Sequence, residues 1–307
     1  MLHYAMPFAS SFALLCESVR FLMKSHAFVR SNTPRALAEG VVPAFHKFLY
    51  FMFAPTLVYS DWYPRTDFLT GRSPNVRWRL VAYHLLEVVG CLFYISFLVQ
   101  RYHLPVFRDF GLRPLTPLEG ASAVLSTVLP SGMVMLCYFY LLLHAWHNAW
   151  AEMLRFGDRM FYLDWWNQGS FAAWYRTWNV LINDWLYAYV YKDVVLLGGS
   201  RLAAKAIVFF LSAAVHEFLM GFTLRLFYPV TYFFFGIIGF LMSFLNFGST
   251  AVGNIGLWLS LFIGDGLLFS LYAMEYYARQ NCEQIIDSSR DLFIPRSWSC
   301  VPIASKT

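Results

Sequence analysis

A histidine and a glutamate interrupt an apolar stretch that is otherwise typical of a membrane-spanning helix. The stretch is LSAAVHEFLMGF, residues 211 to 222, and the two residues are His216 and Glu217. Charged groups at membrane depth cost about 2.5–3.5 kcal/mol on insertion scales, so they usually face a cavity or a partner. An imidazole is suited to accept a proton near neutral pH. The position indicates either a general base or a neutral histidine that ties two helices together.

Further polar residues lie on the same face of this predicted helix. Arg201, Lys205, Ser212 and His216 fall within an arc of about 60° at about 100° per residue. This polar track is about 22 Å long at about 1.5 Å per residue. Basic groups at one end of the track fit an anionic part of a ligand, and a base at the other end fits a group that gives up a proton; snorkelling of the basic side chains is the alternative. Glu217 points about 100° away from His216, so we assign it no catalytic role.

The sequence contains no pattern typical of a metal site or of a covalent nucleophile. Met220 stands where a zincin helix would carry its second histidine, and the five cysteines form no CxxC pair. His144 and His147 are three residues apart, but no third ligand is evident beside them in the sequence. No GxSxG nucleophile elbow occurs. If the protein transfers a group between two substrates, this favours direct transfer while both are bound, without a covalent intermediate on the protein. We predict no metal site and no resident cofactor.

The elements that must position these residues are membrane helices. Hydrophobic residues make up 59% of the 307 and charged residues 13%, against roughly 25% charged in soluble domains. The net charge of +5 is spread along loops without a dense basic tract, which argues against nucleic-acid binding. We predict an all-α fold, a polytopic transmembrane helical bundle forming a single domain over residues 1 to 307.

Five segments are long and apolar enough to span a bilayer, which takes about 20 helical residues. They lie near residues 79 to 100, 121 to 145, 202 to 223, 227 to 247 and 253 to 275. A weaker sixth candidate covers residues 4 to 20. The stretch 42 to 58 contains two prolines and two basic side chains, and we interpret it as re-entrant or interfacial.

Two independent signals assign the sides of the membrane. Cys282 and Cys300 lie in the polar tail, residues 276 to 307, and a disulfide between them needs an oxidising lumen. Alternation then places the connector 146 to 201 in the cytosol. Most Lys and Arg residues fall on the side so assigned to the cytosol, as the positive-inside rule expects.

The cytosolic connector is unusually rich in aromatic residues. Residues 161 to 193 read FYLDWWNQGSFAAWYRTWNVLINDWLYAYVYKD. An aromatic belt at the headgroup level is one interpretation. However, Asp, Asn and Arg are interspersed among the rings, and such a mixture also suits a pocket for an amphipathic ligand.

Several strings in this region resemble the sterol O-acyltransferase branch of the membrane-bound O-acyltransferases. They are RFGDRMFYLDWWN at 155 to 167, YRTWN at 175 to 179, DWLYAYVYKD at 184 to 193 and AVHEF at 214 to 218. The resemblance continues through RFLMKSHAFVR at 20 to 30, FAPTLVYSDWYPR at 53 to 65, EYYARQNC at 275 to 282 and PRSWSC at 295 to 300. It covers nearly the whole chain. Relatives continue further on the N-terminal side, so the chain is expected to be N-terminally shortened.

The resemblance implies an O-acyltransferase of the endoplasmic reticulum membrane that moves a long-chain acyl group from acyl-CoA to a sterol hydroxyl. Acyl-CoA is then a co-substrate, a sterol such as cholesterol is the acceptor, and membrane lipids and a homo-oligomer are the expected partners. Transfer to diacylglycerol is the alternative within the enzyme class. A catalytically inactive lipid-binding form is the alternative outside it.

The resemblance also implies the roles of individual residues. His216 matches the catalytic histidine of the family and Asn179 its essential asparagine, which either stabilises the oxyanion or positions the histidine. The matching acyl-CoA contacts are Arg176, Asn179, Tyr191 and Ser212, with Arg201 where relatives commonly have lysine. The chain departs from the pattern at Asn183, where relatives have a histidine, and at Ala173, where they have a polar residue. We expect both departures to affect acyl-CoA affinity or chain preference.

Overall fold

The described part of the chain is built from helices. The computed structural model describes residues 6–66, 75–113, 116–245, 247, 250–284, 288–291 and 293–303. The main helices are α1 Phe8–Glu39, α2 Phe45–Phe53, α3 Trp78–Phe107, α4 Pro117–Met153, α5 Phe171–Trp178, α6 Val180–Leu186, α7 Arg201–Leu224, α8 Tyr232–Met242 and α9 Thr250–Asn281. Helix α3 contains a π-helical turn at Val99–His103, α4 contains one at Tyr140–Trp146, and α6 continues as a π-helical turn, Tyr187–Tyr191, and a short α-helix, Lys192–Leu196. The tail carries short helices at Ser288–Asp291 and Arg296–Trp298. The prediction of an all-α fold is confirmed.

Four of the five strong predictions of membrane spans are confirmed. Helices α3, α4, α7 and α9 are long and apolar enough to cross a membrane. Large apolar side chains project outward from them: Phe93 of α3 is 76% exposed and Leu125 of α4 is 72% exposed. A contiguous apolar exterior is what a lipid environment requires of a helix bundle.

The prediction of a regular helical span over residues 227 to 247 is wrong. The helix of this segment, α8, has seven π-helical and four α-helical residues, about 16 Å at about 1.5 Å per residue, or roughly half of the hydrocarbon thickness. Pro229 delays its start, and the Ser243 hydroxyl donates to the Phe240 carbonyl near its end. A hydropathy pattern does not register these interruptions.

The segment nevertheless follows α7 along most of its length. The N–H of Leu226 donates to the Gly221 carbonyl, the rings of Phe240 and Phe209 lie 5.7 Å apart, and Lys205 reaches the Ser243 carbonyl. The chain therefore runs antiparallel to α7 from the level of Gly221 back to Lys205. Its non-helical parts are packed against protein, where irregular backbone at membrane depth is tolerated.

The weak candidate for a span at residues 4 to 20 is also corrected. From Phe8 onward this stretch is the first part of α1, a single helix of 32 residues, and residues 4 and 5 lie outside the described part. Helix α1 is not among the helices that are apolar enough to span a membrane. Lys24, only 1% exposed, donates its ammonium group to the carbonyls of Phe51 and Ala54. Helix α1 is thereby fixed to α2, the stretch interpreted as re-entrant or interfacial.

Helices α4 and α9 pack closely against each other. A Cβ on Gly132 would approach the ring of Phe262 to 2.3 Å, so only glycine permits this contact. The hydroxyls of Thr127 and Ser270 meet 3.0 Å apart within the same interface. Small residues and interhelical hydroxyl bonds are the usual means of helix association in membranes. The pair supports the aromatic connector, because Leu257 of α9 packs in the connector's aromatic core.

The predicted disulfide is present. Cys282 and Cys300 are bonded, with Cα atoms 5.3 Å apart. Gly111, with φ +91°, lies against them, and a Cβ there would come within 2.8 Å of both sulfur atoms. The fully buried Glu275 accepts from the backbone N–H groups of Arg296 and Ser297. Residues 285–287, 292 and 304–307 of the predicted tail lie outside the described residues.

Candidate active site

His216 lies in the second half of α7, partly exposed, with a well-defined orientation. Its Nδ1 is 2.7 Å from the backbone oxygen of Ser212, one turn earlier, and 3.5 Å from the Ser212 hydroxyl. Its ring stacks on Phe235 of α8 at 4.8 Å. A carbonyl oxygen only accepts, so Nδ1 carries the hydrogen and the neutral ring has its lone pair on Nε2. This is the atom that can take a proton.

Asn179 occupies the junction between α5 and α6. It ends α5, and its Oδ1 accepts from the N–H of Ile182 at 3.1 Å, so its side chain caps α6. Because the oxygen is used, the Nδ2 group is the part of the amide that remains to donate. No hydrogen bond joins Asn179 to His216 within the described ranges. Of the two roles left open by the sequence, this geometry favours donation to a bound group.

Helix α5 and the π-helical turn that follows α6 pack against the histidine-bearing hairpin of α7 and α8. Tyr175 of α5 lies edge-on to Phe209 of α7, with ring centroids 4.9 Å apart, and its hydroxyl is close to Gly239 of α8. The π-helical turn that follows α6 packs against α7. The connector is therefore folded onto α7, which brings the two halves of the predicted site onto neighbouring elements.

The residues predicted to contact acyl-CoA lie on α5, on α7 and on the π-helical turn that follows α6. Ser212 lies beside His216, Tyr191 is partly buried in the π-helical turn and stacks on Tyr187 at 5.5 Å, and Arg201 is exposed at the first turn of α7. Arg176 is exposed on α5 and close enough to Lys205 for their charges to interact. Arg201 and Ser212 belong to α7, and Tyr191 lies in a turn that packs against α7. Contact of these residues with acyl-CoA stays a prediction.

Lys205 is the member of the polar track whose side chain is bound to the segment that follows α8. Its ammonium group donates to the Ser243 carbonyl at 3.4 Å and lies 3.8 Å from the centre of the Phe244 ring. This pair of contacts holds the end of the α8 segment against α7. Lys205 is thus engaged within the protein, while Arg201 of the track and Arg176 of α5 are exposed basic groups.

The two departures from the family pattern lie in the connector helices. The Asn183 amide donates to Asp184 at 3.3 Å, and burial raises the pKa of the Asp184 carboxyl. A histidine in place of Asn183 would add a titratable group beside that carboxyl. Ala173 lies in the first turn of α5, where its N–H is capped by the Ser170 hydroxyl. Neither departure disturbs the local helices.

The aromatic core behind Asn179 contains two unsatisfied donors. Trp165 and Trp174 are 3% and 8% exposed, and their indole N–H groups are buried without a partner in the described part of the chain. Both rings lie close to Trp178, next to Asn179, at 4.6 and 5.3 Å. Buried donors without partners are rare, so these two could serve a bound polar group. In the sequence these two tryptophans belong to the aromatic connector as a whole, and no sequence signal distinguishes them from its other aromatic residues.

Glu217 has a structural position. It is 7% exposed, and its Oε2 accepts from the Tyr232 N–H at 3.1 Å and the Tyr272 hydroxyl at 2.8 Å. It therefore joins α7 to the start of α8 and to α9. Its contacts are structural, and the absence of a catalytic role for Glu217 stays a prediction.

The two histidines at the end of α4 do not act together. His147 faces the Leu142 carbonyl and the ring of Phe161. His144 faces Tyr162 and the ring of His84 on α3. The residues beside His144 in the sequence include no third ligand, whereas its neighbours in the structure, His84 and Tyr162, come from α3 and from the connector.

Comparison with known proteins agrees with the resemblance carried by the motifs. The sequence matches the MBOAT, membrane-bound O-acyltransferase family, over residues 3–274. It is 43% identical over 311 residues to Sterol O-acyltransferase 1 of Mus musculus, covering 98% of this chain and 56% of that protein. It is 42% identical over 306 residues to Sterol O-acyltransferase 2 of Homo sapiens, covering 97% and 57%. The chain thus spans little more than half the length of these relatives. It belongs to the membrane-bound O-acyltransferase family.

Proposed function

We propose that the protein transfers a long-chain acyl group from acyl-CoA to the hydroxyl of a sterol. The observation that carries this proposal is the orientation of His216, whose Nδ1 donates to the Ser212 carbonyl and leaves Nε2 as a base at membrane depth. The similarity to proteins named sterol O-acyltransferases supports a sterol as the acceptor. Family membership supports the reaction class.

In the proposed reaction, the sterol oxygen attacks the thioester carbonyl carbon while Nε2 of His216 takes the hydroxyl proton. The carbonyl oxygen becomes an oxyanion that the Nδ2 group of Asn179 stabilises. Collapse of this intermediate breaks the carbon–sulfur bond, and the coenzyme A thiolate recovers the proton from His216. General base catalysis of this kind contributes about 10²- to 10⁴-fold in rate, and one oxyanion donor about 10²- to 10³-fold. The reaction needs no metal, no cofactor and no covalent acyl-enzyme.

The binding of acyl-CoA is proposed along the polar face of α7. The exposed guanidinium groups of Arg176 and Arg201 suit the phosphates, since guanidinium pairs with phosphate in bidentate geometry. Ser212 and Tyr191 line the path from this end towards His216. The buried indole donors of the aromatic core give the polar part of the substrate further partners.

The proposed location is the endoplasmic reticulum membrane, with connector 146 to 201 in the cytosol, the tail in the lumen, and a homo-oligomer as the working form. The Cys282–Cys300 bond supports an oxidising compartment on the tail side. The exposed Arg176 and Arg201 support a cytosolic connector, where soluble acyl-CoA would reach them.

The proposal is tested in microsomes that lack sterol acyltransferase activity and express this chain. Labelled oleoyl-CoA is supplied with cholesterol or with diacylglycerol, and His216→Ala is compared with a matched control, His46→Ala, at an exposed position of α2. We expect steryl ester from the parent and the control, and a rate lower by about 10²- to 10⁴-fold in His216→Ala.

Two results would contradict the proposal. Triacylglycerol in place of steryl ester would transfer the assignment to the diacylglycerol branch. An inserted parent chain that binds labelled oleoyl-CoA but forms no ester would assign it as a lipid-binding form without activity.

A further inference from the structure

Two histidines and a glutamate from neighbouring helices meet outside the proposed active site. His84 and Glu87 lie three residues apart on α3, and His144 lies on the π-helical turn of α4. One donor atom from each residue lies within 4.8 Å of the other two. His84 is 7% exposed, and the other two are partly buried. The three side chains form a compact cluster within an otherwise apolar helix pair.

Two of the three side chains are oriented by tyrosines. Nδ1 of His144 lies 2.7 Å from the Tyr162 hydroxyl, and when Nδ1 donates to this oxygen the lone pair on Nε2 can coordinate. The Tyr140 hydroxyl donates to Oε1 of Glu87 at 2.5 Å, so Oε2 is the carboxylate oxygen that can coordinate. That oxygen is already 2.7 Å from Nδ1 of His84. Outer hydrogen bonds of this kind orient the ligands in protein metal sites.

From this arrangement we infer that His84, Glu87 and His144 bind a divalent transition-metal ion of the zinc type. Two imidazoles and one carboxylate are a common donor set for zinc, with the fourth position taken by water. Bonds of about 2.0–2.2 Å in tetrahedral geometry separate the donors by about 3.3–3.5 Å. The three donor atoms lie at most 4.8 Å apart, and Nδ1 of His84 lies 2.7 Å from Oε2 of Glu87, so rotations of the side chains would bring the donors to this separation.

The bound ion would join three parts of the structure. His84 and Glu87 belong to α3 and His144 to α4, while Tyr162 belongs to the aromatic connector that leads to Asn179. Ion binding therefore stabilises the contact between the helix pair and the connector. The inference does not depend on acyl transfer, because the site shares no residue with the proposed catalytic groups.

The test measures metal binding by the detergent-purified chain, prepared with a tag that contains no histidine. Co²⁺ is titrated and its visible absorption recorded, and Zn²⁺ affinity is measured by competition with a chromophoric chelator. We expect one ion per chain for the parent and for His46→Gln, and a loss of affinity of more than about 100-fold in His84→Gln and His144→Gln. Tyr162→Phe, which keeps all three ligands, is expected to weaken binding about 10- to 100-fold.

Melting temperatures recorded with and without Zn²⁺ show whether each variant is folded. Zn²⁺ should raise the melting temperature of the parent and leave that of folded His84→Gln unchanged. The inference fails if the folded parent binds neither ion at micromolar concentration, since His84 and Glu87 would then form only an ion pair. It also fails if Tyr162→Phe and the two ligand variants bind as tightly as the parent, because the ion would then lie elsewhere.

Discussion

Nδ1 of His216 lies 2.7 Å from the backbone oxygen of Ser212, one helical turn earlier in α7. The proposed base is thus oriented by the main chain of its own helix, without a carboxylate partner. A backbone carbonyl holds the ring in the tautomer that exposes Nε2. The neighbouring Glu217 is turned the other way and bonds to Tyr232 and Tyr272.

The first prediction separates the Ser212 side chain from its backbone. Because the carbonyl orients His216, Ser212→Ala should keep turnover within about tenfold of the parent, while the KM for acyl-CoA rises. Initial rates at varied oleoyl-CoA concentration measure both quantities. A loss of turnover as large as that of His216→Ala would show instead that the Ser212 hydroxyl, 3.5 Å from Nδ1, holds the ring.

The second prediction concerns the two ends of the Asn179 amide. Asn179→Asp keeps an oxygen that caps α6 but removes the Nδ2 donor, so turnover should fall about 10²- to 10³-fold with little change in stability. Asn179→Ala removes both functions and should in addition cost about 1 kcal/mol of stability. Turnover and melting temperature are measured for the pair. Full activity of Asn179→Asp would exclude the donor role.

The third prediction concerns the link made by Glu217. Glu217→Gln keeps an acceptor for the Tyr232 N–H and should be nearly neutral, whereas Glu217→Leu leaves this buried N–H without an acceptor and removes one of the partners of the Tyr272 hydroxyl. We expect Glu217→Leu to lower the free energy of unfolding by about 2–4 kcal/mol. Thermal unfolding in detergent compares the two variants. Equal stability would mean that other groups or water satisfy these donors.

The fourth prediction concerns the buried Lys24. Lys24→Met should cost about 2–4 kcal/mol of unfolding free energy, because two buried carbonyls, of Phe51 and Ala54, lose their donor. The matched control is Lys47→Met, which removes a surface ion pair with Asp61 at 3.6 Å and should cost less than about 1 kcal/mol. The melting temperatures of the two variants are compared. Similar values would contradict the conclusion that the hydrogen bonds of Lys24 hold α1 against α2.

The fifth prediction concerns the loss of stability at acidic pH when the ion pair between Arg35 and Asp61 is broken. The two side chains are 2.6 Å apart. Hydrogen bonding from Arg35 lowers the pKa of the Asp61 carboxyl from 3.8 to about 2. A carboxyl whose pKa is lower in the folded than in the unfolded chain stabilises the fold at pH values above its unfolded pKa. This contribution is lost as pH falls from about 4 to about 2. Asp61→Asn should therefore show a smaller decline in melting temperature across that window than the parent. Identical profiles would contradict a contribution from this pair.

Several features follow from local sequence and were predicted correctly. Four uninterrupted apolar runs predict four long helices, because a helix in lipid satisfies its own backbone and needs only about 20 apolar residues. Cys282 and Cys300 are the two cysteines of the polar tail, and they are bonded. The contact of His216 with Ser212 is also local, since residues four apart lie on one face of a helix.

Other features depend on contacts between residues far apart in the chain, and only the tertiary structure decides them. The segment 227 to 247 is as apolar as a span, yet its helix covers only Tyr232–Met242, and the residues after this helix contact Lys205 of α7. The partners of His144 come from α3 and from the connector, not from the neighbouring His147. Hydropathy and spacing record which residues avoid water, whereas the choice of neighbour is made by helix packing between distant parts of the sequence.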